Sequence, residues 1–414
     1  MEALEPARAG GPARNARPEG PERGLTRRRF LLAAAALGAG GAGAAWFLRP
    51  GLRRAGPYLQ DVRPDRVTVA AITPGGARLR LSWAAGGGAG GEVADREPMV
   101  IRGLVASGLV PATEYDYRLT DEAGRAWGQG SFRTAPAPGG PGRITFFALG
   151  DSGVTEHGGD DDPAEGGPAT GGQGRGPQWQ VAAAMQRLPR PDLLLHTGDL
   201  VYPRGAPEDW SSALFDPFAA LLAEVPLYPT LGNHDLKTGA GAPYLERFFL
   251  PEGPGGSGRS YAFERGDALF VSFEVTAHDR PPDGPLDWLE RTLRASSRAW
   301  KLVFFHVAPF SPCERGDSAA LTGALVPRLA RAGVDLVLCG HDHLYARYQP
   351  RDGVTYVTTG GGGGKLYAPG PDPRLACAAR AHHFLAGALE GPRLELRAVG
   401  LDGAELDRVV LEKA

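Results

Sequence analysis

From Arg143 onward, five short apolar runs each stop at a polar cluster, and this recurrence restricts the possible folds more than any other feature. The runs are Ile144-Thr-Phe-Phe-Ala-Leu149, Leu193-Leu-Leu-His196, Leu227-Tyr-Pro-Thr-Leu231, Leu302-Val-Phe-Phe305 and Val334-Asp-Leu-Val-Leu338. Each has the length and composition of a buried strand. Helical patterns separate them, as over residues 178–188 and 285–294. Buried strands alternating with helices predict an α/β domain over 143–414, with ligands gathering beyond the strand ends. A stretch at 158–176, full of Gly, Asp, Pro and Glu, reads as a mobile loop close to that site.

Residues 56–136 have another pattern. Asp65-Arg-Val-Thr-Val-Ala-Ala-Ile-Thr73 and Ala77-Arg-Leu-Arg-Leu-Ser-Trp83 alternate apolar and polar residues between Gly-rich turns, as half-buried strands do. The later segments, residues 109–119 and 130–136, resemble the closing strands of a fibronectin-III-like sandwich. That resemblance gives Tyr115 or Tyr117 a structural role at a strand corner. Residues 135–142, Ala-Pro-Ala-Pro-Gly-Gly-Pro-Gly, read as a short stiff linker.

The first 24 residues lack apolar periodicity and read as disordered. Residues 25–48 carry Thr26-Arg-Arg-Arg-Phe-Leu-Leu32 ahead of an Ala/Gly-rich apolar run ending at Trp46-Phe-Leu48. This order resembles a bacterial twin-arginine signal. It implies recognition by the twin-arginine export machinery and a periplasmic, extracellular or membrane-tethered location. Cleavage after Ala44 and retention as a tether are both open, and membrane contact is expected only through an uncleaved signal. The net charge of −2 shows no excess of the kind a nucleic-acid binder carries, and none is expected as a partner. The three cysteines form no C-x-x-C pair, so no cysteine zinc site is expected. Cys313 and Cys377, both in loop-like sequence, are the expected partners if one disulfide forms.

Five clusters follow the apolar runs: Gly150-Asp151-Ser-Gly153, Gly198-Asp199-Leu-Val-Tyr202, Gly232-Asn233-His234-Asp235, His306 within Phe304-Phe-His-Val-Ala-Pro309, and Gly340-His341-Asp-His343. Glycine allows sharp turns on which carboxylate, amide, phenol and imidazole groups can converge. Such a mixed oxygen and nitrogen donor set suits two metal ions, and hydrolysis of phosphate esters profits from a pair about 3.5–4 Å apart.

Together and in this order, the clusters resemble the calcineurin-like metallophosphoesterase superfamily. The opening Gly150-Asp151-Ser152-Gly153 and the Tyr202 three residues after Asp199 resemble the purple acid phosphatases within it. The resemblance implies a fibronectin-III-like domain followed by an α/β sandwich of two sheets flanked by helices. It assigns Asp151, Asp199, Tyr202 and His343 to iron(III), with Asp199 bridging. It assigns Asn233, His306 and His341 to a second ion: zinc, manganese or iron(II). A phenolate ligand at Tyr202 requires a strongly acidic metal, because free Tyr titrates near about 10. His234 would bind the phosphate or protonate the leaving alkoxide.

The remaining histidines are given lesser roles. His196 reads as a satisfied core residue and His382-His383 as a strand end. His157 and His278 lie in loops. Thr358-Thr-Gly-Gly-Gly-Gly-Gly-Lys365 is not a nucleotide-binding loop and reads as close backbone packing near the site. Two departures from the family concern Asp235, where many members have Glu, and the segment Ser311-Pro-Cys-Glu-Arg-Gly-Asp317, which lacks a further substrate-facing His. The resulting expectation is phosphomonoester hydrolysis on small phosphate esters. A phosphodiesterase with the same centre, or an inactive surface binding protein, are the alternatives.

Overall fold

The structure, a computed structural model, describes residues 52–86, 88, 90–140, 142–154, 176–276 and 281–413. The N-terminal segments 1–24 and 25–48, His157, His278 and nearly all of the 158–176 stretch lie outside the described residues. No helix among the described residues is long and apolar enough to cross a membrane.

The first seven strands are β1 (Ala55–Gln60), β2 (Arg66–Ala77), β3 (Leu79–Ala85), β4 (Gly90–Ala94), β5 (Met99–Ser107), β6 (Glu114–Asp121) and β7 (Ala126–Arg133). They form two antiparallel sheets, ordered β1-β2-β5 and β4-β3-β6-β7. Alternation decides which residues meet between them. Val67, Val69 and Ala71 of β2 face Leu79 and Leu81 of β3 and Tyr115, Tyr117 and Leu119 of β6 in one core. The Tyr115 hydroxyl accepts from the Val110 N–H at 3.0 Å and ties down the turn before β6. Tyr117 reaches further, donating to the Ala223 carbonyl at 2.7 Å.

The rest of the chain stacks two mixed sheets. The first contains β8 (Ile144–Leu149), β9 (Leu193–His196) and β10 (Leu227–Pro229), parallel to one another. The second begins with the hairpin β11 (Tyr261–Arg265) and β12 (Ala268–Ser272) and continues through β13 (Trp300–Val307) and β14 (Leu336–Gly340). It is completed by β15 (Tyr345–Tyr348), β16 (Thr355–Thr359) and β17 (Leu375–Ala379), ordered β11-β12-β13-β14-β16-β15-β17. The chain then returns to the first sheet as β18 (His383–Glu390), β19 (Arg393–Gly400) and β20 (Glu405–Glu412), giving the order β10-β9-β8-β18-β19-β20.

The continuous apolar character of the runs now has its cause. Phe146 and Ala148 of β8 point into the layer between the sheets, where they meet Leu302 and Phe304 of β13 and Leu336 and Leu338 of β14. Their neighbours point the other way. Phe147 and Leu149 pack against Val181 and Met185 of helix α1 (Pro177–Met185). Val303, Phe305 and Val337 pack against Leu286, Leu289 and Leu293 of helix α2 (Asp283–Ala295). The i, i+3, i+7 spacing of those leucines puts them on one helix face. Both faces of each central strand are therefore dry, and each such Leu or Phe stabilises by roughly 1.5–3 kcal/mol.

One expectation is corrected here. No disulfide joins any of the three cysteines, so the Cys313–Cys377 disulfide is not formed. Cys377 is in strand β17, not a loop, and packs toward the layer between the sheets. Cys313 packs into the outer layer with α2. The two thiols therefore pack in different apolar layers.

Replacing Tyr117 with Phe should lower the free energy of unfolding by about 1 kcal/mol through loss of the bond to the Ala223 carbonyl. Denaturant titration measures it, and an unchanged midpoint would show that this carbonyl is satisfied otherwise.

Candidate metal centre

The parallel strands of both sheets end at the same place. Asp151 follows β8, Asp199 follows β9, Asn233 follows β10, His306 is near the end of β13, and His341 follows β14. Asp151, Asp199 and His341 have φ of 60°, 53° and 70°, a left-handed conformation that costs non-glycine residues on the order of 1–3 kcal/mol. Surrounding contacts hold these turns. The Asp151 N–H donates to the Gly198 carbonyl at 3.0 Å, and the Gly364 N–H donates to the Asp151 carbonyl at 2.8 Å. Gly198, at φ 99°, lies so close that a Cβ there would approach His306 Nδ1 to 2.7 Å. A Cβ on Gly232 would run into the Asp199 carboxylate.

The predicted site residues fall into two adjoining groups. In the first, Tyr202 donates to His343 Nε2 at 2.9 Å, and Asp151 Oδ1 is 3.4 Å from the Tyr202 hydroxyl and 3.5 Å from His343 Nε2. In the second, His306 Nε2 is 2.9 Å from Asn233 Oδ1 and 3.3 Å from Asp199 Oδ2. Asp151, Asp199 and His306 join the groups, with ligand atoms within 4.8 Å of one another. The His341 ring is 5.0 Å from that of His306, and its backbone N–H donates to both Asp151 oxygens at 3.0 Å. His234 borders both groups. Its backbone N–H donates to Asp199 Oδ1 at 2.9 Å, its ring meets the Tyr202 ring edge-on at 4.5 Å, and its Nδ1 is 2.6 Å from the Pro203 carbonyl.

Backbone carbonyls orient the imidazoles. His306 donates through Nδ1 to Thr197 O at 2.9 Å, and His343 donates through Nδ1 to Lys365 O at 2.9 Å. Each therefore presents Nε2 to the carboxylates. Burial would lower the pKa of His306, but Asp199 and Asp151 outweigh it and push it up to about 9. Burial opposes ionisation of Asp199 as well, yet His306 and His234 hold it below the usual carboxylate range. His341 is pushed well below the ordinary value by burial and by the cations His306 and Arg315.

His196 is buried in the core as expected, with Nε2 donating to Ser152 Oγ at 2.8 Å and Nδ1 accepting from the Gly198 N–H at 3.2 Å. Burial pushes its pKa down to about 3 and keeps it neutral. His383 begins β18, near Thr359 Oγ1 at 3.1 Å. In the glycine loop, the Gly362 N–H donates to the Gly150 carbonyl at 3.0 Å, so this loop packs backbone to backbone on the Asp151 turn.

Several residues around the site were not assigned a role there from sequence. Asp235 accepts from the backbone N–H groups of Leu200 at 3.0 Å, Val201 at 3.2 Å and Gly232 at 2.9 Å. It locks the second cluster to the third, and its own pKa is pushed up to about 7 by burial and by Asp199. Its position beside His234 was the available signal. Tyr367 stacks on His343 at 4.5 Å and 12°, and Arg315 bonds His341. Neither carries a spacing that would mark it in the sequence.

Residues 144–345 match the calcineurin-like phosphoesterase family. The strand-end clusters above all lie within that range. The chain is 40% identical to human tartrate-resistant acid phosphatase type 5 over 77 residues, which are 19% of this chain and 24% of that protein. It is 28% identical to purple acid phosphatase 21 of Arabidopsis thaliana over 283 residues, 62% of this chain and 57% of the relative. The chain thus spans well under two thirds of these curated relatives, both of them acid phosphatases and hence hydrolases. The fold is similar to that of purple acid phosphatase PPD1 from yellow lupin seeds, with a TM-score of 0.74 at 19% identity over 87% of this chain and 74% of that one. PhoD shares it at a TM-score of 0.62 and 14% identity, over 87% of this chain and 88% of PhoD.

Substituting Asp235 with Ala strips three buried N–H groups of their acceptor, at roughly 1–3 kcal/mol each. A clear fall in thermal midpoint and in metal bound per chain is expected, with Asp235→Asn falling less because its amide oxygen still accepts. Wild-type stability in Asp235→Ala would show that the loops are held some other way.

Proposed function

We propose that this chain is an exported metallophosphoesterase of the purple acid phosphatase type that hydrolyses phosphomonoesters at a dinuclear metal centre. One observation carries the reading. His306 Nε2 lies 2.9 Å from Asn233 Oδ1 and 3.3 Å from Asp199 Oδ2, with His306 and Asp199 buried and Asn233 half-buried. Acceptors crowd together in this way around a shared proton or a cation. The donors are hard oxygens and imidazole nitrogens, which fit zinc, iron and manganese.

In this reading Asp151, Tyr202 and His343 would hold iron(III), Asn233, His306 and His341 would hold zinc, manganese or iron(II), and Asp199 would serve both ions. Such a pair supplies acidified water and a positive field over the phosphoryl group. The protein supplies the rest. The Pro203 carbonyl accepts from His234 Nδ1–H, which leaves Nε2 as the basic atom of the neutral ring; the imidazolium would give up its Nε2 proton to a leaving oxygen. The sheet ends exclude water from the carboxylates, and the left-handed turns keep the ligand atoms convergent before substrate arrives.

The domain reading is part of the same proposal: a fibronectin-III-like domain at 56–136, supported by the 3-plus-4 strand order, and a catalytic domain at 143–414. So is export through the twin-arginine segment. Exchanging Arg27 and Arg28 for Lys keeps the charge and should retain the precursor inside the cell, as cell fractionation would show. Normal export of that variant would remove the twin-arginine reading.

Function is tested on metal-loaded protein with matched aryl phosphate mono- and diesters. A higher kcat/KM on the monoester is expected, and a large diester preference would replace the proposed activity with phosphodiesterase. The oxidised protein should show a visible charge-transfer band that Tyr202→Phe abolishes. A colourless, fully loaded protein would rule out iron(III)–phenolate ligation.

A further inference from the structure

Away from the metal centre, a cavity of about 660 Å³ opens where the end of the N-terminal sandwich, the linker and the first catalytic sheet meet. Thr145 of β8 lines it, whereas Asp151 follows the other end of the same strand. At about 3.3 Å per residue the two are roughly 20 Å apart. The floor consists of Thr145, Phe147, Ala386 and Ala388. Thr145 pairs with Ala388 and Phe147 with Ala386 in the antiparallel register of β8 and β18, so all four share one face of the sheet. The two alanines leave space that bulkier side chains would fill. Helix α1, which covers this face, stops at Met185, and Leu188 and Pro189 continue as one wall. Pro136 and the end of β7 form the opposite wall.

Four arginines and two carboxylates line this space, and their partners divide them unevenly. Asp192 Oδ2 accepts from the Thr145 N–H at 2.8 Å and hydroxyl at 3.0 Å, and Oδ1 accepts from Arg265 at 3.2 Å. Glu395 is paired with Arg393 at 2.9 Å and with Arg408 at 2.7 Å. Both carboxylates are thus neutralised by cations outside the cavity lining. Arg190 is committed to Glu114 and, at 2.7 Å, to Ser131 Oγ. Arg133 and Arg143 are exposed and have no side-chain partner among the described residues. Arg397 reaches only Glu405, at 4.0 Å on the surface. Three guanidinium groups therefore surround an apolar floor with little negative charge to offset them. Cations that share one concave rim repel one another, and an anion with several charges relieves that repulsion.

We infer that this cavity is a second binding site, separate from the metal centre, for a small organic polyanion. Its apolar body rests on Phe147, Ala386 and Ala388, and two or more acidic groups meet Arg133, Arg143 and Arg397. The volume is that of a small-molecule site, and guanidinium forks match the paired oxygens of such acids. The alternative is a solvent-filled seam whose arginines only keep the surface soluble.

The test is calorimetric titration of the full metal-loaded chain with naphthalene-1,5-disulfonate, which has an apolar body, two charges and no ester to cleave. One molecule should bind per chain. Arg133→Ala, Arg143→Ala and Arg397→Ala should each weaken binding about three- to tenfold, with the thermal midpoint unchanged because these side chains are held by little else. Ala388→Leu, which fills the floor, should abolish binding. Sulfate, which brings charge without the apolar body, should bind at least about tenfold more weakly. The inference is overturned if the wild type does not bind the disulfonate, if the arginine variants bind it like the wild type, or if sulfate binds as tightly. An Ala388→Leu protein with the wild-type midpoint and full affinity would place the probe elsewhere and overturn it equally.

Discussion

Two buried carboxylates, Asp151 and Asp199, lie against His306 in a pocket with almost no solvent access, and much of the architecture serves to keep them there. Negative charges removed from water are unfavourable unless donors or cations surround them. Part of that compensation is backbone. The His341 N–H donates to Asp151 and the His234 N–H donates to Asp199. These donors come from the turns after β14 and β10, so each carboxylate is satisfied by a cluster distant in sequence. Loss of one turn would leave the charge on another uncompensated.

The sheets make that mutual support possible. Asp151 and Asp199 leave neighbouring parallel strands of one sheet, while His306 and His341 leave neighbouring parallel strands of the other. Layer packing by Phe146, Phe304 and Leu338 sets the separation of the two sheet ends, and thus the distance between the two aspartates and the two histidines. Backbone bonds then set their direction. Left-handed turns at Asp151, Asp199 and His341 are unfavourable in isolation, and the dry apolar layers and interlocking turn bonds offset them.

The N-terminal sandwich is tied to this core through long-range contacts. Tyr117 reaches the Ala223 carbonyl, and Tyr58 donates to the Arg247 carbonyl at 2.8 Å. Both partners lie in the stretches flanking the Asn233 turn. The sandwich therefore packs on the scaffold of the third cluster, away from the Arg315 loop, which rests on the His341-Asp342-His343 side.

The sequence alone was sufficient for the α/β pattern, the β-rich N-terminal segment and the residues that converge at the strand ends. Period-two alternation, uninterrupted apolar runs and glycine-flanked polar turns are local signals, readable within a few residues. His196 as a satisfied core residue and the glycine loop as backbone packing were legible for the same reason. Other features depended on which chain segments meet. Cys313 and Cys377 looked alike in sequence, and only tertiary packing placed them in different apolar layers. Asp235 resembled a minor substitution until its carboxylate was seen to bridge the Leu200, Val201 and Gly232 amides. Arg315 was one arginine in a loop until it was found over Asp342 and Tyr367, residues 27 and 52 positions away by number. Local periodicity records what a segment becomes, whereas the partner of a side chain is decided by the packing of segments far apart in the chain.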